Sequence, residues 1–307
     1  MTGELFALAA LTMFSSNIIL TKVASARLDV GTGFLVAVFV NVAFTLLLFV
    51  IELMLRQNAL TLDARGILTF MLAGVCSTYL GRWFFFETIV RLGPARASLF
   101  QVCSPLFTVI IAWIFLGEAL RIPTVFAMLL TMAGLVLVSL PASVWRARAP
   151  QPAAASRGVD LRLWLRSGVL VGAGSTFAYA LGNVFRGAAI RQWNEAILGT
   201  LLGAIAALVL YLVVGSGRAQ LANLRGADRT GLAIYALGGV LTATAQIAMV
   251  ISMRYIPVAI AAVITLCSPL LVIPASVLLL KNQEGVGAIT LIGALLTMGG
   301  MAFIVAA

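Results

Sequence analysis

Residues 91–106 read Arg91-Leu92-Gly93-Pro94-Ala95-Arg96-Ala97-Ser98-Leu99-Phe100-Gln101-Val102-Cys103-Ser104-Pro105-Leu106. Residues 254–270 say nearly the same again: Arg254-Tyr255-Ile256-Pro257, then Cys267-Ser268-Pro269-Leu270. The spacing from Pro94 to Pro105 and from Pro257 to Pro269 differs by one residue, and an acid follows each copy, Glu118 and Glu284. Almost everything around them is apolar. A repeat within a run of membrane spans is the mark of a carrier-like architecture of two related halves, with its site at their interface.

Composition fixes the class. The chain has 307 residues, 62% hydrophobic and 10% charged, against roughly 25% charged in soluble domains. A soluble protein this apolar would expose patches incompatible with solution. Its 20 Lys+Arg and 10 Asp+Glu give a net charge of +10. The cations stand singly between apolar runs, not gathered on a solvated domain, so phospholipid headgroups are the expected partner and nucleic acid is not. With no histidine, Ser-His-Asp and Cys-His catalysis, HExxH zinc sites and haem ligation by His are excluded. The three cysteines, Cys76, Cys103 and Cys267, fall in apolar runs and read as small buried side chains. No cofactor is expected, and nothing resembles a phosphate-binding P-loop.

A helix needs about 20 apolar residues to cross a bilayer. Ten segments qualify: 4–24, 31–55, 66–90, 94–116, 121–141, 163–190, 194–214, 229–253, 256–280 and 286–306. The first is read as a span and not a signal peptide, because its start carries Glu4 and no Lys or Arg, and Ser15, Ser16 and Asn17 interrupt the apolar run. The stretch 142–162, with Pro150, Pro152 and several arginines, is the natural linker between a first unit, 1–141, and a second, 163–307. Five spans per unit invert the second relative to the first. The expected fold is an all-α polytopic membrane protein, ten helices in two inverted five-helix repeats around a central cavity. With the N-terminus inside, the inner loops hold Arg56, Arg65, Arg121, Arg191 and Arg254. The outer loops then hold Lys22, Arg27, Arg91, Arg96, the linker arginines, Arg218, Arg225, Arg229 and Lys281. The positive-inside rule prefers the opposite orientation.

The stretch 79–118, from Tyr79 through Arg91-Leu92-Gly93-Pro94 and Ser104-Pro105 to Leu116-Gly117-Glu118, resembles the EamA-type ten-span transporters of the drug/metabolite transporter superfamily. The second copy is looser, with Lys281-Asn282-Gln283-Glu284 in place of Leu-Gly-Glu. The resemblance covers nearly the whole chain as two repeats. It implies secondary transport of small metabolites, usually export, across the cytoplasmic (inner) membrane, with both termini in the cytoplasm.

Pro105 and Pro269 break a backbone hydrogen bond inside the fourth and ninth spans. They are either symmetric hinges lining the cavity or shapers of packing. Residues shared by the repeats form the frame, and polar residues without a repeat partner are the better site candidates. Setting Arg91 opposite Arg254 places Arg82 opposite Ala245, Trp83 opposite Gln246 and Glu87 opposite Val250. A charge at the centre of a span costs about 2.5–3.5 kcal/mol on insertion scales, so Arg82 needs a cavity, a counter-charge or a ligand. Glu87 lies about 140° round the helix from it, so the two do not share a face. Aligning Asn17 with Asn183 places Arg186 opposite Leu20. Arg186 and Glu87 either face the cavity or reach to the interface. Asn17 and Asn183 serve as interhelical hydrogen-bonding amides or as cavity lining, and Tyr79 and Gln246 join the pool of polar lining residues. Gly199-x-x-x-Gly203 suits close helix approach, within one chain or between the two of a homodimer.

The leading expectation is a carrier for a small molecule with an anionic group, such as an amino acid or another carboxylate. It works by alternating access as monomer or homodimer, either coupled to protons through Glu87 or by facilitated exchange. The alternatives are an efflux carrier for drugs or other cationic compounds, and a membrane scaffold or accessory subunit that transports nothing. An intramembrane enzyme lacks its paired aspartates and its Gly-x-Ser-x-Gly elbow.

Overall fold

The computed structural model describes residues 2–25, 27–56, 59–85, 88, 104–117, 122–139, 168–214, 217–268 and scattered positions from 271 to 303. Among these the secondary structure is helical throughout, with no strand. The helices are α1 (Thr2–Ser25), α2 (Val30–Leu55), α3 (Ala64–Phe85), α4 (Ser104–Leu116), α5 (Ile122–Ser139), α6 (Gly168–Gln192), α7 (Ala196–Val213), α8 (Arg229–Ser252) and α9 (Val258–Leu266). A short helix, Gly217–Asn223, lies between α7 and α8. Five helices are long and apolar enough to cross a membrane: α1, α2 from Gly31, α3, α7 and α8. The expected spans at 94–116 and 256–280 are described only over α4 and α9, and that at 286–306 only at isolated helical positions.

Aspartates start three of these helices. Asp29 accepts from the Gly31 and Thr32 amides at 3.0 and 3.1 Å, Asp63 from Gly66 at 2.9 Å and Asp228 from Gly231 at 2.8 Å. Each satisfies amide donors that the first helical turn leaves open. Gly117, at φ 63°, takes the left-handed conformation that ends α4, which is the work of the glycine in Leu116-Gly117-Glu118.

The helices pack mostly across the chain and not beside their sequence neighbours. α1 lies on α8 as α6 lies on α3; α2 touches α8 as α7 touches α3; α1 meets α9 as α6 meets α4. α2 also meets α7 and α4 meets α9. Gly300, near the C-terminus, lies against Ala127 and Thr131 of α5. Exchanging α1–α4 for α6–α9 maps these helix pairs onto one another, whereas the smaller contacts of α7 and α6 with α8 and of α6 with α9 have no counterpart of the same extent among the described residues.

Glycines set the closest approach. Gly74 of α3 crosses Gly203 of α7 with its backbone against the Gly203 carbonyl, and Gly199 takes the Phe70 ring. Gly199-x-x-x-Gly203 is therefore a contact within the chain. Gly239 of α8 makes the equivalent approach to the Ala37 carbonyl of α2.

One element departs from the common plan. α3 contains π-helical turns over Gly74–Gly81, whereas α8 is regular. Both helices begin at an Asp-x-x-Gly cap, and the distance from Asp63 to Arg91 is two residues longer than that from Asp228 to Arg254. Wider turns, with i→i+5 bonding, hold more residues in a given length of helix.

The two ends of the bundle are tied by different contacts. At one end Arg56, capping α2, holds Glu195 before α7 with two bonds, Nη1 to Oε2 at 2.9 Å and Nη2 to Oε1. There the Trp193 indole also donates to the Thr61 carbonyl at 2.8 Å. At the other end Thr32 donates to Gln220 at 2.8 Å and Arg27 faces Asp228 at 4.0 Å. The outer faces of α2, α4 and α5 display Leu47, Met54, Trp113, Phe115, Phe126 and Leu129, a surface suited to acyl chains.

The glycine crossing is directly testable. A methyl at position 74 runs into backbone, which cannot yield as a flexible side chain can. Gly74→Ala is expected to cost about 1–3 kcal/mol and to lower the melting temperature in detergent, while Gly226→Ala, in open space, leaves it unchanged. Equal melting temperatures for the two variants would disprove the crossing.

Candidate functional site

The most polar part of the interior lies where α3, α6, α7 and α8 meet. A small cavity there is lined by Phe70, Thr78, Arg186, Thr200 and Gln246, together with the glycines of the α3–α7 crossing. Its space is about that of one water molecule. Thr78, Thr200 and Gln246 are buried. The glycine crossing brings two backbones together beside the cavity and leaves room for polar side chains just beyond it.

Arg186 comes from α6, the long helix that also carries Ser175, Thr176, Tyr179 and Asn183. Its guanidinium donates to Asn183 Oδ1, one turn back, and to Thr78 Oγ1 across on α3, each at 3.5 Å. Arg82 leaves the end of the π-helical turns. Its guanidinium sits 5.3 Å from the centre of the Phe34 ring, a cation–π contact, and its charge acts on the Tyr179 hydroxyl. The two arginine charges also act on one another. Tyr179 reaches this position because Gly81 lets its ring come to 3.1 Å from where a β-carbon would stand, and Ser175 pins the same turn by donating to the Gly81 carbonyl at 2.8 Å. On the opposite wall a chain of polar groups runs inward along α2. Thr45 donates to Asn41, and Asn41 Nδ2 donates to Gln246 Oε1, both at 3.4 Å. Asn41 and Thr45 are buried.

Four of the residues singled out in the sequence thus converge: Arg82, Arg186, Asn183 and Gln246. Tyr79 lies beside them in an apolar cluster with Phe34, Leu35, Val38, Ala207 and Tyr211. Trp83 is 49% exposed and points outward, stacked on Phe84 and, at 6.3 Å, on Tyr79. Trp83 and Gln246 face each other in the alignment but not in space, since the widened turns of α3 change the direction of the residues that follow. Asn17 lies against Gly238 in the α1–α8 contact, away from the cavity lining. Pro105 is the second residue of the described part of α4, after Ser104, which donates to the Thr176 carbonyl at 3.5 Å. Glu87 and Pro269 lie outside the described residues.

Tyr179 and Asn41 were not among the sequence candidates, yet the signal was there. On the Asn17/Asn183 alignment Tyr179 stands opposite Met13 and Asn41 opposite Ala207, polar against apolar, and Tyr179, Asn183 and Arg186 follow the i, i+4, i+7 stripe of one helix face. Among the described residues no group of His, Cys, Asp or Glu could hold a metal ion.

The sequence model of the EamA-like transporter family matches residues 1–140 and again 166–306. The chain belongs to that family. It is accordingly a multi-pass membrane protein of the drug/metabolite transporter type. A crystal structure of a protein with 19% sequence identity has a TM-score of 0.70, over 99% of this chain and 98% of the other. That likeness concerns the fold. No curated protein matches the chain.

Tyr179→Phe removes the hydroxyl on which the Arg82 and Arg186 charges act. A polar interaction with a charged group contributes about 1.5–3 kcal/mol. The variant is expected to lose stability on that scale, read as a lower melting temperature in detergent; a wild-type melting curve would show that Arg82 does not depend on this oxygen.

Proposed function

We propose that the chain is a secondary carrier of a small metabolite bearing an anionic group, such as a carboxylate. In this reading Arg82 and Arg186 bind the anion, with Tyr179, Asn183 and Gln246 completing the pocket. The observation that carries it is the presence of two guanidiniums beside a buried polar cavity where helices from both parts of the chain cross. Guanidinium is well matched to carboxylate, with planar paired donors. An efflux carrier for cations would put the same charges in the path of its own substrate.

The frame of this reading is ten spans in two inverted five-helix halves, 1–141 and 163–307, joined by 142–162. The twofold match to the family model and the paired helix contacts across the chain support it. The small cavity suits an occluded state, with Arg56–Glu195 and Trp193–Thr61 closing one end. Alternating access would open that end while the other closes, with Pro105 and Pro269 as hinges. Export across the inner membrane is the direction the family favours. Coupling either runs through a proton on Glu87 or gives way to exchange.

Arg82→Ala and Arg186→Ala are each expected to abolish transport in proteoliposomes while leaving insertion and yield intact. Wild-type rates in either variant would remove that arginine from the site. The topology has its own check. In a background lacking Cys76, Cys103 and Cys267, single cysteines at Ala59 and Asn194 should react with an impermeant maleimide from one side of the membrane, and cysteines at Arg218 and Asn223 from the other. Labelling of all four from one side would refute the ten-span arrangement, and the side that reacts at Ala59 decides between the charge count and both termini in the cytoplasm.

A further inference from the structure

We infer that the substrate is bound as a dianion, one negative charge for each of Arg82 and Arg186. This rests on the carrier reading and specifies the chemistry of its site.

The argument is a charge inventory of the bundle. Arg82 and Arg186 approach from different helices, α3 and α6, and their charges meet at the Tyr179 hydroxyl. Their remaining contacts are neutral: the Phe34 ring for Arg82, and Asn183 Oδ1 and Thr78 Oγ1 at 3.5 Å for Arg186. Among the described residues no carboxylate pairs with either. The acids of the described residues stand at helix ends instead, Glu4 and Glu52 in terminal turns, Asp29, Asp63 and Asp228 at caps, and Glu195 before α7 with Arg56. Two like charges in a low-dielectric interior repel strongly. A monoanion relieves one of them, whereas a dianion relieves both and gains paired hydrogen bonds at each end.

The same inventory argues against two other substrate classes. The ammonium of a zwitterionic amino acid is best balanced by a carboxylate, and the described lining of the cavity contains none. Gln246, which lines the cavity, already accepts at Oε1 from Asn41 Nδ2 at 3.4 Å. A lipophilic cation would meet a wall of donors and two positive charges.

A dicarboxylate and a phosphate monoester both satisfy this chemistry, so the experiment carries both. Wild-type protein in proteoliposomes is assayed for uptake of labelled succinate, glycerol 3-phosphate, gluconate and leucine, each against the same compound preloaded inside. At least one of the two dianions is expected to enter ten-fold or more faster than gluconate and leucine. Arg82→Gln and Arg186→Gln, with folding checked by size-exclusion profile, should each cut that rate ten-fold or more and narrow the preference for two charges over one. Succinate alone identifies a dicarboxylate site, and glycerol 3-phosphate alone a phosphate site. Gluconate or leucine entering as fast as both dianions would overturn the dianion inference and leave the carrier intact. No uptake of any of the four by correctly inserted protein would sink the carrier reading itself.

Discussion

A guanidinium in the apolar interior of a helical bundle costs about 2.5–3.5 kcal/mol on insertion scales, and Arg82 and Arg186 impose that cost twice at one place. The surrounding structure offsets it with neutral groups: an aromatic face, a phenol, a threonine and an amide. Each lies on a helix whose placement depends on close backbone approach. Thr78 is in reach of Arg186 because Gly182 of α6 seats itself against Ser77, and α3 meets α7 at Gly74 and Gly203. The glycines and the arginines are two halves of one arrangement: small residues bring the helices together, and the polar residues one turn away occupy the space between them.

The widened turns of α3 belong to the same arrangement. The π-helical stretch carries Ser77, Thr78 and Tyr79, and Arg82 follows directly from it. α8, without the two additional residues, presents Gln246 and apolar neighbours in the corresponding region. On the proposed two-repeat frame, widened turns in one copy would do more than lengthen a helix. They would point a different set of side chains at the shared centre, and so let two similar halves enclose an unsymmetrical site. Such turns are frequent at functional positions for this reason.

Much of this was legible from the chain. Membrane class followed from composition, and Arg82 and Arg186 were singled out by the expense of isolated charges in apolar runs. Gly199-x-x-x-Gly203 was legible as a close contact, though its partner was not, because spacing describes one helix face and is silent on what meets it. Trp83 shows why the rest was hidden. Its pairing with Gln246 assumed that both helices keep the same residues per turn, and the π-helical stretch breaks that assumption. Tyr79 failed for a different reason: a tyrosine ring can bury itself among Phe34, Leu35 and Val38 as readily as it can line a polar cavity, and sequence alone does not weigh the two. Tyr179 and Asn41 obeyed the rule of polar residues opposite apolar ones and needed only its consistent application.

The placement of charge along the bundle closes the physical account. The carboxylates of the described residues stand at helix ends, where Asp29, Asp63 and Asp228 cap amides and Glu195 meets Arg56. Arg82 and Arg186 stand inside, with no carboxylate partner among the described residues. Coulomb interactions are screened where water reaches and strong where it does not, so the two ties differ. Arg56 and Glu195 are largely buried and hold firmly, with Glu195 only 4% exposed, whereas Arg27 and Asp228 are about half exposed and form a weak tie that water competes for. In the proposed carrier the firm tie is the one whose breaking would limit the opening of its end. Arg82 and Arg186 stand apart from both ties, so in that proposal opening an end and selecting a ligand would draw on different residues.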